Sequence, residues 1–359
     1  MSESMLNQPI LTLRGRQMSV HELLVGMTAL KASDLYLKSG STVRFKISGR
    51  VVGFESDKLT RDRMDHILGC FLTEDARMTF SERQVADLVY ETERARFRVH
   101  FAQGHTGPYA TIRIINQEIP GLQSLGLPRE TLERLLSLQG GLLVVCGSTD
   151  AGKTVTCTSL INDINRTREQ AILTLEDPIE YVFTDQRSMV LQREIGTHTP
   201  TFASGIKAAL RENLDVIFVG EMRGLDTIEE CLRAAEMGHL VISTLHADDV
   251  LACISRIVGS FPPEEQGRIR QSLSSVLEGV LFQRLVPTAA GGRTPVVESI
   301  WPNTAVRSIL RQGEITKLGS YIGKSAGSRS FRESLHDLVN SGTISRETFN
   351  NQMANLPIV

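Results

Sequence analysis

The sequence predicts an α/β protein whose larger part is a doubly wound parallel sheet, preceded by a smaller α+β module. Three observations carry this. Beyond about residue 130, short apolar runs alternate with stretches of helical spacing. The first of those runs leads through a glycine-rich loop into a helical stretch. Earlier in the chain, apolar and polar residues alternate instead with period two.

In the leading module, residues 20–30 have helical spacing and lead into Ser33-Asp34-Leu35-Tyr36-Leu37. Val43-Arg44-Phe45-Lys46-Ile47 alternates, Ser48-Gly49-Arg50 supplies a turn and Val51-Val52 follows, a hairpin pattern. Residues 95–101 and 109–115 read as two further strands, with a turn at residues 104–108. Pro120, Gly121, Gly126 and Pro128 cluster in residues 116–128, and the linker is placed at 117–129.

In the larger part, the expected strands are Gly141–Cys146, residues 171–175, Val216–Val219 and residues 240–243. All are short and mostly apolar, as parallel strands covered on both faces must be. Residues 155–164 read as a helix. Leu225, Ile228, Leu232 and Ala235 share one helical face. Ile269, Leu273, Val276, Leu277, Val280 and Leu281 form a longer apolar stripe. From about residue 303 the pattern is of short helices.

A length of 359 residues suffices for two ordinary domains, and 41% apolar residues permit a sizeable core. A charged fraction of 22% excludes a mostly disordered chain. The 39 basic and 41 acidic residues nearly cancel, so no strong pull toward nucleic acid is expected. None of the 5 cysteines is spaced Cys-x-x-Cys, which excludes a zinc ribbon or redox motif. Cys146 and Cys231 read as buried small hydrophobes in a reducing compartment. There is no basic-then-apolar leader and no apolar run near the ~20 residues of a membrane helix. A cytoplasmic protein is expected, held at any membrane by a partner.

Four segments carry chemistry. Gly147-Ser148-Thr149-Asp150-Ala151-Gly152-Lys153-Thr154 fits G-x-x-x-x-G-K-[ST]. Glycines let successive backbone N–H groups face a phosphate, and the following helix adds its positive end. Lys153 would neutralise the β- and γ-phosphates of ATP, and the Thr154 hydroxyl would ligate Mg²⁺. Val216-Ile217-Phe218-Val219-Gly220-Glu221 is an apolar strand ending in a carboxylate, suited to Mg²⁺ or its water. Gly220 would let the chain pass close to the loop. Leu175-Glu176-Asp177-Pro178-Ile179-Glu180-Tyr181 clusters three acids after a strand, where Glu176 could activate water. Pro178 holds Asp177 out of a helix. His239 and His246 bracket an apolar strand and could sense phosphate, bridge to a neighbour or serve the fold. Whether Glu176 or Glu221 takes the proton stays open at this level.

Together these segments resemble, in order and spacing, the secretion and type IV pilus ATPase family, and within it the PilT-like retraction motors. The resemblance covers nearly the whole chain. It extends from Ala32-Ser33-Asp34-Leu35 and Ala95-Arg96-Phe97-Arg98-Val99, through Val219-Gly220-Glu221-Met222-Arg223, to Ala305-Val306-Arg307-Ser308-Ile309-Leu310-Arg311. That last stretch is similar to a short motif associated with retraction. The resemblance implies a PAS-like domain over 1–116, a RecA-like core over 130–300 and a helical region over 301–359. It makes residues 147–154 a Walker A loop, Glu176 and Asp177 an aspartate box with Glu176 as water activator, and Glu221 the Walker B acid. It makes His239 and His246 a histidine box, and Arg96, Arg98 and Arg113 nucleotide-facing arginines of a hexameric ring. The implied partners are an inner-membrane platform protein and a second pilus ATPase beside it, and the implied site of work is the cytoplasmic membrane face.

Three departures stand out. Asp150 occupies a position where the family usually has Gly, and its charge would repel phosphate if it pointed inward. Gly224 replaces an acid, removing a partner for Arg223. Leu214 replaces a Pro before Asp215. Besides a retraction motor, the sequence admits a related ATPase of a secretion or conjugation apparatus, or a nucleotide-binding partner with hydrolysis weakened by Asp150. A RecA-like nucleic-acid motor fits the charge balance poorly.

Overall fold

The chain is described from a computed structural model, which places residues 6–47, 49–92, 95–115 and 118–354. Ser48 of the expected hairpin turn, and Asn116 and Gln117 of the expected linker region, lie outside the described residues. The chain divides into two compact units, Met1–Gln117 and Glu118–Val359.

The first unit runs β1 (Pro9–Leu13), β2 (Arg16–Ser19), α1 (Val20–Ala29), β3 (Ala32–Lys38), β4 (Arg44–Ile47), β5 (Arg50–Gly53), α2 (Arg61–Phe71), α3 (Glu74–Arg83), β6 (Val85–Glu91), β7 (Arg96–Gly104) and β8 (Gly107–Ile115). Ser19 starts α1 with a capping box to Glu22, and Thr60 and Thr73 cap α2 and α3. Strands β5-β4-β3-β8-β7-β6 form one sheet, its pairs antiparallel. Period-two alternation sends Phe97, Val99 and Phe101 into the core with Leu23, Met27, Ile67 and Phe71. It sends Arg96, Arg98 and His100 to the other face. The turn expected over 104–108 is tighter: Gly104 pairs with Gly107, leaving a two-residue hairpin loop.

The second unit runs α4 (Arg129–Ser137), β9 (Gly141–Cys146), α5 (Lys153–Thr167), β10 (Ala171–Glu176), β11 (Met189–Glu194), α6 (Phe202–Ala209), β12 (Val216–Val219), α7 (Gly224–Glu236), β13 (Leu240–Leu245), α8 (Val250–Gly259), α9 (Gln266–Val276), β14 (Leu277–Pro287), β15 (Arg293–Ile300), α10 (Thr304–Gln312), α11 (Phe331–Asn340) and α12 (Arg346–Ala354). The sheet order is β11-β10-β12-β13-β9-β14-β15, and only the β14–β15 pair is antiparallel. Alternate residues of β9 enter different cores. Leu142, Val144 and Cys146 meet α6 to α9, while Leu143 and Val145 meet α5. The sheet is doubly wound, as its apolar strands predicted.

The stripe from Ile269 to Leu281 is not one helix. It turns at Leu277 from α9 into β14, so Val280 and Leu281 lie on a strand and point to opposite faces. A continuous apolar run satisfies a helix stripe and a doubly buried strand equally, and pairing with β9 decides between them. Leu225 is exposed rather than packed with Ile228 and Leu232, because it lies in the first turn of α7 facing water. The tail is not peripheral: Val306, Leu310, Leu318, Phe331, Leu335 and Ile344 join the sheet's own core.

The bend into β14 needs a residue without a side chain at 279. A Cβ there would lie 2.3 Å from the Trp301 ring. Gly279→Ala should therefore destabilise the second unit by about 2 kcal/mol through overpacking. The chain's only tryptophan reports the transition, and an unchanged urea midpoint by its fluorescence would show that the ring yields.

Candidate functional site

Parallel pairing of β9, β10, β12 and β13 brings their C-terminal ends to one edge, with Cys146 opposite Leu245 and Leu175 opposite Val219. The loop Gly147 to Thr154 leaves β9 there and enters α5. Gly152 is the helix N-cap and no side chain caps the helix, so its first N–H groups remain oriented toward the loop.

Both loop glycines are required by one neighbour. Gly147 has φ +152 and Gly152 φ +83, and a Cβ at either would meet the Gln283 carbonyl oxygen at 2.3 Å or its Nε2 at 2.8 Å. Gln283, buried on β14, donates Nε2 to the Ala151 carbonyl at 2.7 Å and accepts from the Thr156 hydroxyl at 2.8 Å. It grips the loop on both sides of Gly152. Sequence reading missed it. Its only signal is one amide inside an apolar run. Asp150 is exposed at φ +61, a left-handed conformation that Gly or Asp accepts readily.

Lys153 is buried, and its ammonium donates to the carbonyls of Gly147 (2.9 Å) and Ser148 (2.8 Å). Its pKa is lowered, chiefly by burial, with Glu221 pulling the other way. The Nζ lies 3.5 Å from His246 Nδ1, and His246 Nε2 lies 3.6 Å from Glu221 Oε1. Burial and then Lys153 lower the His246 pKa, which favours a neutral imidazole between cation and acid. Glu221 also pairs with Arg223 Nε at 2.9 Å, so Arg223 has a partner despite Gly224.

Glu176 ends β10 and is 3% exposed. Burial raises its pKa to about 7, opposed by hydrogen bonds from Thr174, Gln192 and the Glu180 N–H. Asp177 beside it is exposed, and the Asp177–Pro178 peptide is cis. Gly220 makes its close approach to β10, not to the loop. Its N–H bonds the Leu175 carbonyl at 2.7 Å, and a Cβ there would be 3.5 Å from Glu176 Cα.

Some expected residues are not brought to this edge. His239 precedes β13 at the opposite end of the sheet, where its Nδ1 bonds the Ala234 carbonyl at 2.9 Å. A six-residue strand separates it from His246, roughly 20 Å at ordinary strand rise. Asp215 is likewise at the starting end of β12, accepting the Ala171 N–H at 2.8 Å. Arg96, Arg98 and Arg113 belong to the first unit. Arg98 stands opposite Arg113 across β7 and β8. Arg113 Nε meets buried Asp34 at 2.8 Å, and Arg98 lies 3.7 Å from Asp87.

A family model described as "Type II/IV secretion system protein" matches residues 17–309. An Escherichia coli K12 protein called "Uncharacterized protein YggR" is 36% identical over 332 residues, covering 91% of this chain and 100% of that protein. The type IV pilus retraction ATPase PilT of Pseudomonas aeruginosa is 34% identical over 333 residues, covering 92% and 96%. A crystal structure of the pilus retraction motor PilT with bound ADP matches with TM-score 0.86 and 36% identity, over 95% of this chain and 98% of that one. The Legionella pneumophila ATPase DotB matches with TM-score 0.82 and 26% identity, over 94% and 95%.

A base at Glu176 works only when ionised, and its pKa of about 7 places the acid limb near neutrality. Turnover should fall about tenfold per pH unit below that limb and level off above it; a rate flat down to the ordinary carboxylate range would remove Glu176 from the role. Gln283→Leu should weaken binding of fluorescent ADP about tenfold, by one to two lost hydrogen bonds. If affinity holds, the loop keeps its shape without the amide.

Proposed function

The chain belongs to the type II/IV secretion system protein family, and we propose that within it this protein is an ATP-hydrolysing motor for type IV pilus retraction. The carrying observation is the convergence of Lys153, Glu176, Glu221 and His246 on the one sheet edge that holds the glycine loop. The full-length likeness to retraction motors supports this reading over other machines, since identity falls from 36% to the retraction-motor structure to 26% to DotB.

In the reaction, a water oxygen forms a bond to the γ-phosphorus as the bond from that phosphorus to the β–γ bridging oxygen breaks. Glu176 takes a proton from the water. ADP leaves with the bridging oxygen, and inorganic phosphate is released. Lys153 gives up the Gly147 and Ser148 carbonyls for phosphate oxygens, so its charge, already desolvated, acts at close range. His246, between Lys153 and Glu221, would register whether the γ-phosphate is present.

Mg²⁺ fits the donor set. Among the described residues no cluster of three or more His, Cys, Asp or Glu forms a protein-only metal cage. A threonine hydroxyl and one carboxylate suit an ion completed by phosphate oxygens and water. Thr154 and Glu221 would hold it, and it would neutralise charge on the β- and γ-phosphates.

The proposal includes a homo-hexamer in which Arg96, Arg98 and Arg113 of one subunit face the nucleotide of the next. Its support is the charged face that the first unit's sheet turns away from its core. His239, remote from its own chain's loop, would act across such a boundary. No helix among the described residues is long and apolar enough to cross a membrane. An inner-membrane platform protein would hold the ring at the cytoplasmic face, with a second pilus ATPase alongside, and no nucleic acid is involved.

Lys153→Ala and Glu221→Ala should each lower Mg²⁺-dependent ATPase activity by two orders of magnitude or more, roughly the scale of lost electrostatic groups. Wild-type turnover in both would defeat the proposal. Asp150→Gly should keep the fold, since Gly accepts the same φ, and lower KM for ATP several-fold; unchanged KM and kcat would show that Asp150 points away from phosphate throughout. Light scattering with and without nucleotide tests for six subunits.

A further inference from the structure

Gln192 lies on β11, beside the strand that carries Glu176, and no motif in the sequence singles it out. Its side-chain amide makes three hydrogen bonds. The Phe183 N–H donates to Oε1 at 2.8 Å, while Nε2 donates to the Tyr181 carbonyl at 2.8 Å and to Glu176 Oε1 at 3.2 Å. The two backbone partners fix which end of the amide is which. A backbone N–H can meet only the oxygen, and a carbonyl only the NH₂. A flipped amide would set oxygen against a carbonyl and a carboxylate at once.

The Thr174 hydroxyl donates to the same Glu176 Oε1 at 2.7 Å. That oxygen therefore holds two side-chain donors. The other, Oε2, receives the Glu180 N–H at the long distance of 3.4 Å. The two carboxylate oxygens are chemically unequal.

We propose that Gln192 is a positioning residue which, with Thr174, occupies Glu176 Oε1 and leaves Oε2 as the atom that accepts the proton of the attacking water. This rests on the reading above of Glu176 as the base. In the step, the water O–H bond breaks and its proton goes to Oε2. The electron pair left on the water oxygen goes into its bond to phosphorus, and ADP departs. The donors to Oε1 also favour the ionised carboxylate, opposing the burial that raises its pKa. Because the same amide grips Tyr181 and Phe183, the orientation of the base is tied to the acidic loop that follows it.

Other charged groups surround the acid. Glu180 and Asp177 stand on the loop, and Glu194 on β11 stands opposite Glu176 with its Oε2 accepting the Ile179 N–H. Glu221 and Arg223 follow Gly220, which packs on Glu176 Cα. All persist when Gln192 is replaced, so a shift on its substitution belongs to the amide.

The test is the pH dependence of kcat in the full-length protein. Gln192→Met keeps size and shape but loses the donor, and the acid limb should move up by about one pH unit, the scale of one hydrogen bond to a charged group. Below the limb kcat then falls about tenfold, the alkaline plateau recovers, and KM for ATP is unchanged. Thr174→Val should move the limb the same way and serves if the first variant does not fold. Glu176→Gln separates the two claims: retained turnover sinks the base reading itself. Lost turnover there, with an unmoved acid limb in both donor variants, overturns the role of Gln192 alone.

Discussion

Parallel pairing of four strands is the constraint on which the site depends. Side by side in register, β9, β13, β12 and β10 must all end at the same edge. Four segments far apart in the chain thereby deliver a glycine-rich loop, a histidine and two acids to one place. The same pairing explains why His239 and Asp215 are elsewhere, since they stand at strand beginnings. A parallel strand contributes to a ligand site through one end only.

At that edge, charge is managed by burial and neutral hydrogen-bonding groups as much as by ion pairs. Lys153 is held by the carbonyls of Gly147 and Ser148. Glu176 is held by a hydroxyl and an amide, so that burial does not carry its pKa beyond about 7. Glutamines on the two flanking strands, Gln283 on β14 and Gln192 on β11, do parallel work on opposite sides of the site. One braces the glycine loop, the other holds Glu176 Oε1. An amide suits both tasks because it donates and accepts without adding charge.

The tail and β14 give the loop its backing. Phe282 packs on Phe331 of α11 with ring centroids 5.7 Å apart, next to the residue that holds Ala151 and Thr156. The helical tail is thus part of the core behind the glycine loop. The first unit has its own core and a charged sheet face, with Arg113 anchored on Asp34.

The residues alone determined the glycine loop, the four central strands and the acids at their ends. Each of these rests on local chemistry: backbone freedom at Gly147 and Gly152, and apolar side chains on both faces of a strand. What the residues left undecided rests on contacts between distant segments. Gln283 reaches partners 127 and 132 positions away. The helix-to-strand change at Leu277, the true neighbour of Gly220 and the unequal oxygens of Glu176 likewise exist only once strands pair. Hydrogen-bond geometry across a sheet has no periodicity along the chain, so only the tertiary structure could decide it.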